Sequence, residues 1–218
     1  EGYLKKITPQ SLRMSSEQKY KEGDGPGRDF EATNRAEILV FTNRQQAYKA
    51  RLADFADAKA SILGTYLPSH LGMDEGEAVV AVIAPGDYSR QLVFFFENGR
   101  AAKVPVSAYR TQTNRKRLVG AFCDKFALVR AVFIREDCEF LLTASNNKAL
   151  IINTALIPVK ATKSTQGVIV FTQKGKNTLT EVKAAKEAGI KNTDYYRTKA
   201  IPAVGHFLRD SDLEQPLQ

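Results

Sequence analysis

The feature that most constrains this chain is an internal repeat. Residues 41–55 (FTNRQQAYKARLADF) lie over residues 95–109 (FFENGRAAKVPVSAY) at a shift of 54, with no gap. Residues 2–12 fit residues 99–109 at a shift of 97, and residues 140–147 fit residues 39–46 at a shift of 101. Each unit reads strand, turn, strand ending near a basic residue, then an aromatic residue or Leu. A second half follows each hairpin, with a Gly and another strand pair: Gly64 with residues 78–83, Gly120 with residues 128–134, and Gly167 with residues 168–172 and 179–182. Units of about 45–55 residues holding about four strands match the period of propeller blades. Four units can be counted, the first truncated. Residues 190–218 fit the repeat less well and are expected to close the set or cap its end.

The local signals agree with an all-β chain. Apolar runs are short and rich in Val, Ile and Phe: Ile38–Phe41, Val79–Ile83, Leu92–Phe96, Leu150–Ile152 and Val168–Phe171. Such residues pack well on a pleated surface, and the turn residues Asn43-Arg44, Asn98-Gly99, Asn146-Asn147 and Lys174-Gly175 separate the runs. Asn98-Gly99 is the cleanest hairpin signal. Leu39, Phe41, Val93, Phe95, Leu141 and Ile169 are expected in the core. Residues 48–61 are rich in Ala, Asp and Lys, but their overlay on residues 102–115 argues against a helix over most of that stretch. Residues 180–188, closed by Gly189, read as a short helix with a Gly cap.

Composition narrows the function. Lys and Arg number 32 against 24 Asp and Glu, giving a net charge of +8 and a pI of about 9.4. That surplus favours a polyanionic partner, nucleic acid before an anionic membrane surface. The apolar runs are far shorter than the roughly 20 residues a membrane-spanning helix needs. Cys123 and Cys138 are too few for a disulfide scaffold and lack metal-site spacing. The opening Glu1-Gly2-Tyr3-Leu4 has no apolar leader and no Met, and reads as a strand of a longer polypeptide. The expected organisation is one domain over residues 1–218, with residues 190–218 as its tail.

No catalytic constellation emerges. The run Gly23-Asp24-Gly25-Pro26-Gly27 lacks the Lys-Ser/Thr and the helix of a phosphate-binding loop. His70 and His206 have no orienting partner in sequence. Asp74-Glu75 and Glu136-Asp137 read as turn residues. Phe94, Phe95 and Phe96 could stack on bases, but a continuous apolar run belongs to a core.

The basic residues, by contrast, recur in register. Side chains alternate faces along a strand, so Tyr48, Ala50 and Leu52 oppose Lys49 and Arg51, and Ala102, Val104 and Val106 oppose Lys103. Lys6 holds the equivalent place in the first unit. Three lysines at one repeat position, read as facing solvent, would ring the blades with positive charge. With the cluster Arg115-Lys116-Arg117 they point to phosphate contact rather than ordinary solubilising charge. The candidate DNA-binding set is Lys5, Lys6, Arg44, Lys49, Arg51, Arg100, Lys103, Arg110, Arg115, Lys116, Arg117, Lys148, Lys160 and Lys163.

Residues 1–7 (EGYLKKI), 38–44 (ILVFTNR) and 95–105 (FFENGRAAKVP) resemble the C-terminal domain of the A subunit of bacterial type II topoisomerases. The resemblance implies a β-pinwheel, a propeller-like disc whose blades exchange strands, here with about four to five four-stranded blades in an open or reduced form. It implies non-sequence-specific binding and bending of duplex DNA beside a cleavage core carried elsewhere in the A subunit. It also implies ATP-dependent strand passage with an ATPase B subunit, ATP and Mg serving other domains and no cofactor in this one. The setting it implies is the bacterial cytoplasm, at the nucleoid, with no membrane partner. The gyrase members of the family carry a Gln-Arg-Arg-Gly-Gly-Lys-Gly box. The loop here, with Lys19, Lys21, Gly23, Gly25, Gly27 and Arg28, is diluted by Glu22 and Asp24 and lacks the paired Arg. In that respect it resembles topoisomerase IV more than gyrase. The family's cleaving tyrosine lies in a region with no counterpart here, so the chain is expected to carry no catalytic residue. The competing reading is a protein-interaction propeller whose basic charge is incidental.

Overall fold

A computed structural model of the chain describes residues 2–14, 17–22, 27 and 29–214. Its strands, in chain order, are β1 (Tyr3–Leu4), β2 (Glu37–Thr42), β3 (Gln46–Arg51), β4 (Thr65–Tyr66), β5 (Val79–Ile83), β6 (Gln91–Phe96), β7 (Arg100–Pro105), β8 (Arg117–Val119), β9 (Leu128–Ile134), β10 (Glu139–Ala144), β11 (Lys148–Asn153), β12 (Val168–Ile169), β13 (Leu179–Ala184) and β14 (His206–Phe207). They form three four-stranded antiparallel sheets, β5-β2-β3-β8, β9-β6-β7-β12 and β13-β10-β11-β14, plus a two-stranded sheet β1-β4 that stands where the truncated first blade was expected. Residues 2–86 with 111–119 make one compact unit, and residues 87–110 with 120–214 make a second.

Each four-stranded sheet is built on a tight hairpin. The turn residue in the left-handed region is Gln45, Gly99 or Asn147, and Asn98 caps its own turn by accepting from the Arg100 amide. A bulge recurs in the first hairpin strand, between Phe41 and Thr42, Phe95 and Phe96, and Thr143 and Ala144. These places fix the repeat offsets at 54 and 102, so the last unit sits one residue away from the shift of 101 read in the sequence. In two of these sheets the fourth strand comes from beyond the next hairpin: β8 joins β3 after β6 and β7 have passed, and β12 joins β7 after β10 and β11; in the third, β14 joins β11 after β13. The strands that the sequence pairs within one unit are therefore shared between successive sheets, which is the strand exchange of a β-pinwheel.

The hairpin strands are apolar along nearly their whole length because both faces are covered. In the second unit, Val93 and Phe95 of β6 pack with Phe140 and Leu142 of β10 in one cluster. Phe94 stacks on Phe122 on the other side, with ring centroids 5.2 Å apart. In the first unit, Ile38, Val40, Tyr48 and Leu52 close on Phe55 and Leu67. The tail covers the outer face of the last hairpin: Ile190 and Tyr196 pack on Leu141, Ala149 and Ile151.

Three local expectations change. Residues 180–188 are not a helix: Leu179–Ala184 is strand β13, followed by a 3₁₀ turn over Ala185–Glu187. Pairing with β10 satisfies this backbone and buries Leu179 and Val182, which overrides the helical propensity of Ala, Lys and Glu. Ile169 is 43% exposed, and its neighbours Val170 and Phe171 fill the core instead. Short helices form at Pro9–Met14, Leu67–Leu71 and Thr193–Tyr196, where no helix was expected. Among the described residues no helix is long and apolar enough to cross a membrane.

Candidate nucleic-acid interface

The three repeated lysines do not face solvent, contrary to the strand alternation argument. Lys103 is 4% exposed; its ammonium donates to an Asp137 carboxylate oxygen at 2.6 Å and to the Thr154 carbonyl at 3.0 Å. Lys6 repeats that pattern, donating to the Leu52 carbonyl at 3.1 Å and pairing with Asp57 at 3.3 Å. Leu52 and Thr154 each open the 3₁₀ turn after a hairpin, so the two contacts are equivalent. Lys49 is half-buried and donates to the Thr111 hydroxyl at 3.0 Å. Alternation placed these side chains opposite the core residues correctly. The opposite face, however, is occupied by the turn that follows the next hairpin, not by water. The Lys103 ammonium holds the Asp137 carboxyl below the usual carboxylate range.

Several other candidates are also engaged. The Lys5 ammonium donates to Gln18 and to the Lys19 and Ala60 carbonyls, and burial pushes its pKa down. The Arg100 guanidinium donates to the carbonyls of Gln166 and Gly167, both at 3.2 Å. Arg110 donates to the Asp87 carbonyl and lies 4.7 Å from the Tyr88 ring centroid. Arg44 donates to the Glu75 carbonyl, and Lys148 lies over Phe207. Arg51, Arg115, Lys116 and Lys160 are exposed and make no ion pair among the described residues. Lys163 is half-buried with its ammonium 5.9 Å from the Tyr109 ring centroid. Of the box loop, Lys19, Lys21 and Gly27 are exposed, while Gly23, Gly25 and Arg28 lie outside the described residues.

Arg117 has a different role, which the sequence reading missed. Gly64, Gly167 and Gly205 immediately precede β4, β12 and β14, which pair with β1, β7 and β11, and all three have positive φ. A Cβ there would meet the Leu4 carbonyl at 2.5 Å, overlap the Ala101 carbonyl, or meet the Ala149 carbonyl at 2.7 Å. In β8 the register equivalent of these glycines is the strand's first residue, Arg117. Its guanidinium bonds Gln46, reaches Asp74 at 2.5 Å and covers the Tyr48 ring. Beneath it Glu77, 6% exposed, accepts from Thr42, from Tyr48 at 2.8 Å and from the Asp74 amide. Burial opposes ionisation of Glu77, but those donors outweigh it and keep the carboxyl below its usual range. Burial and the Glu77 hydrogen bond push the Tyr48 phenol up to about 12. The signal was available: aligning the exchanged strands puts Arg117 in the glycine column, whereas Gly120 lies beyond β8.

Charge is sorted by connector. In the first unit, residues 111–117 lead into β8 and carry Arg115, Lys116 and Arg117 without a carboxylate. In the second unit, residues 157–167 lead into β12 with Lys160 and Lys163, and residues 197–205 lead into β14 with Arg197 and Lys199, again without a carboxylate. Arg197 is tied to Glu139 and Asp194. The connector over residues 72–78 carries Asp74, Glu75 and Glu77 and no basic residue. Exposed cations on segments free of carboxylates suit a polyanion contacted through its backbone. Among the described residues no group of His, Cys, Asp and Glu could hold a metal ion.

No family model matches the chain. It is 27% identical over 123 residues to the A subunit of DNA topoisomerase 4 from Bacillus subtilis (strain 168), covering 55% of this chain and 15% of that protein. The corresponding protein of Staphylococcus epidermidis is 26% identical over 154 residues, covering 68% of this chain and 19% of the relative. The chain thus spans less than a fifth of the length of these curated relatives. Among solved structures, the C-terminal domain of DNA topoisomerase IV matches with a TM-score of 0.74 at 17% identity, covering 97% of this chain and 72% of that one. The DNA gyrase A C-terminal domain matches at 0.59 and 14% identity, covering 94% and 73%. The E. coli ParC C-terminal domain matches at 0.64 and 11% identity, covering 89% and 85%. The likeness therefore holds in sequence for topoisomerase 4 A subunits and in fold for the C-terminal domains of topoisomerase IV and gyrase, and the fold is the β-pinwheel.

Proposed function

We propose that residues 1–218 form a DNA-binding domain of the A subunit of a type II topoisomerase, topoisomerase IV more than gyrase. The observation that carries this reading is the segregation of exposed Arg115, Lys116 and Lys160, with half-buried Lys163, onto connectors without carboxylates. Such connectors neutralise phosphates without reading base edges, so the binding is indifferent to sequence. The domain binds and bends a duplex and presents it to the cleavage core of the same polypeptide. Strand passage then uses ATP and Mg bound in other domains and the ATPase B subunit, in the bacterial cytoplasm. Residues 190–218 act as the cap of the last sheet, a role supported by the packing of Ile190 and Tyr196 on β10 and β11. The test is an anisotropy titration with duplexes of unrelated sequence and equal length. Affinities within about threefold of one another support phosphate contact, since base readout costs roughly 1–3 kcal/mol per mismatched pair. No binding to any duplex overturns the reading in favour of a protein-interaction module.

A further inference from the structure

The lysines that repeat in register and the cations that meet solvent are two different sets, and strand β7 holds the segment that carries Lys160 and Lys163. The connector over residues 157–167 carries Lys160 and Lys163. It is tied to β7 at both ends. At its start the Lys160 amide donates to the Lys103 carbonyl at 2.9 Å, while the Lys103 ammonium holds the preceding turn through the Thr154 carbonyl. At its end the Arg100 guanidinium forks onto the carbonyls of Gln166 and Gly167. The starting half of that bracket recurs in the first unit, where the Ala58 amide donates to the Lys6 carbonyl at 2.7 Å and the Lys6 ammonium takes Leu52 and Asp57.

We infer that Arg100 and Lys103 govern DNA binding as positioning residues, by holding the 157–167 connector so that Lys160 and Lys163 meet phosphates, and not by touching DNA themselves. The inference rests on the proposed DNA-binding function. Lys103 has no surface to offer a phosphate: nearly all of it is buried and its ammonium is taken by Asp137 and Thr154. Arg100 spends its planar fork on two adjacent carbonyls. That geometry belongs to guanidinium, and a lysine cannot reproduce it with its single ammonium.

The experiment is a salt titration of duplex binding by the full chain, comparing Arg100→Ala and Arg100→Lys in two backgrounds, unaltered and Lys160→Gln/Lys163→Gln. A lost phosphate contact lowers the slope of log affinity on log salt by about one. In the unaltered background Arg100→Ala is expected to lower the slope by about one to two, and Arg100→Lys to do the same although it keeps its charge. In the Lys160→Gln/Lys163→Gln background, both Arg100 variants should leave slope and affinity within about twofold of the parent, because coupled residues are not additive. Additive losses in both backgrounds, full binding by Arg100→Lys, or no effect of Arg100→Ala in either would overturn the inference. Absence of binding by the unaltered chain is a separate outcome that removes the DNA reading and the inference together.

Discussion

The Lys103 ammonium lies 2.6 Å from an Asp137 carboxylate oxygen while Lys103 itself is 4% exposed and Asp137 remains 41% exposed at its side chain. The pair is lopsided: the cation is desolvated and the anion is not. Removing the anion leaves a buried charge short of a partner, whereas removing the cation leaves a carboxylate that water can reach. Asp137→Asn is therefore expected to destabilise the chain by about 1–3 kcal/mol and Lys103→Met by less. Urea denaturation of the two variants checks the order.

The same pair sets an acid dependence. Lys103 lowers the folded pKa of Asp137, so the pair's stabilisation is fully present above the unfolded carboxyl value near 3.9 and is lost as pH falls through the lower folded value. Glu77, also lowered, contributes in the same direction. Stability measured from pH 6 downward should fall below about pH 4. Asp137→Asn should flatten that fall, since the substituted side chain has no proton to gain.

Gly167 has a φ of 66°, and a Cβ there would overlap the Ala101 carbonyl. Gly120 also has positive φ but has nothing within 4 Å of an added Cβ. Gly120→Ala should cost about 1 kcal/mol through backbone preference alone. Gly167→Ala should cost well above that, because β12 must move off β7 to admit the methyl group. Thermal unfolding of both variants separates the two causes.

Within the Arg115-Lys116-Arg117 run, charge is the same at each position and structural role is not. Arg115→Gln with Lys116→Gln should lower the salt slope of duplex binding by about two and leave stability within about 0.5 kcal/mol. Arg117→Gln should leave the slope near its original value and lower stability instead, since it strips Asp74 and Gln46 of their shared donor. A slope loss from Arg117→Gln alone would place Arg117 on the DNA.

How much of this is legible in the sequence depends on how local the cause is. The hairpins are legible because each is set by adjacent residues: an apolar run, a turn such as Asn98-Gly99, and another run. The bulge-marked offset of 54 is legible for the same reason. The exchange of β8 and β12 does not follow from propensity, because pairing across an intervening hairpin leaves no local trace; only the family resemblance implies it. Residues 179–184 mislead because their helical composition competes with a ladder formed by distant β10. Lys49 and Lys103 fall on the expected side of their strands, Lys6 lies just past β1, and none of the three has the expected surroundings. Alternation tells which face a side chain takes and nothing about what covers it. Exposed Arg115, Lys116 and Lys160 stand out because a basic cluster in a connector needs no partner to be recognised.

Duplex DNA binding, as proposed, rests on a small number of phosphate contacts. Binding affinity should be measured from about 50 to 200 mM salt on one duplex. With about four to seven phosphates neutralised, log affinity should fall on log salt with a slope of roughly −4 to −6. A slope near zero, or no detectable binding at the lowest salt, would contradict the account and leave the basic charge of the connectors without a nucleic-acid role.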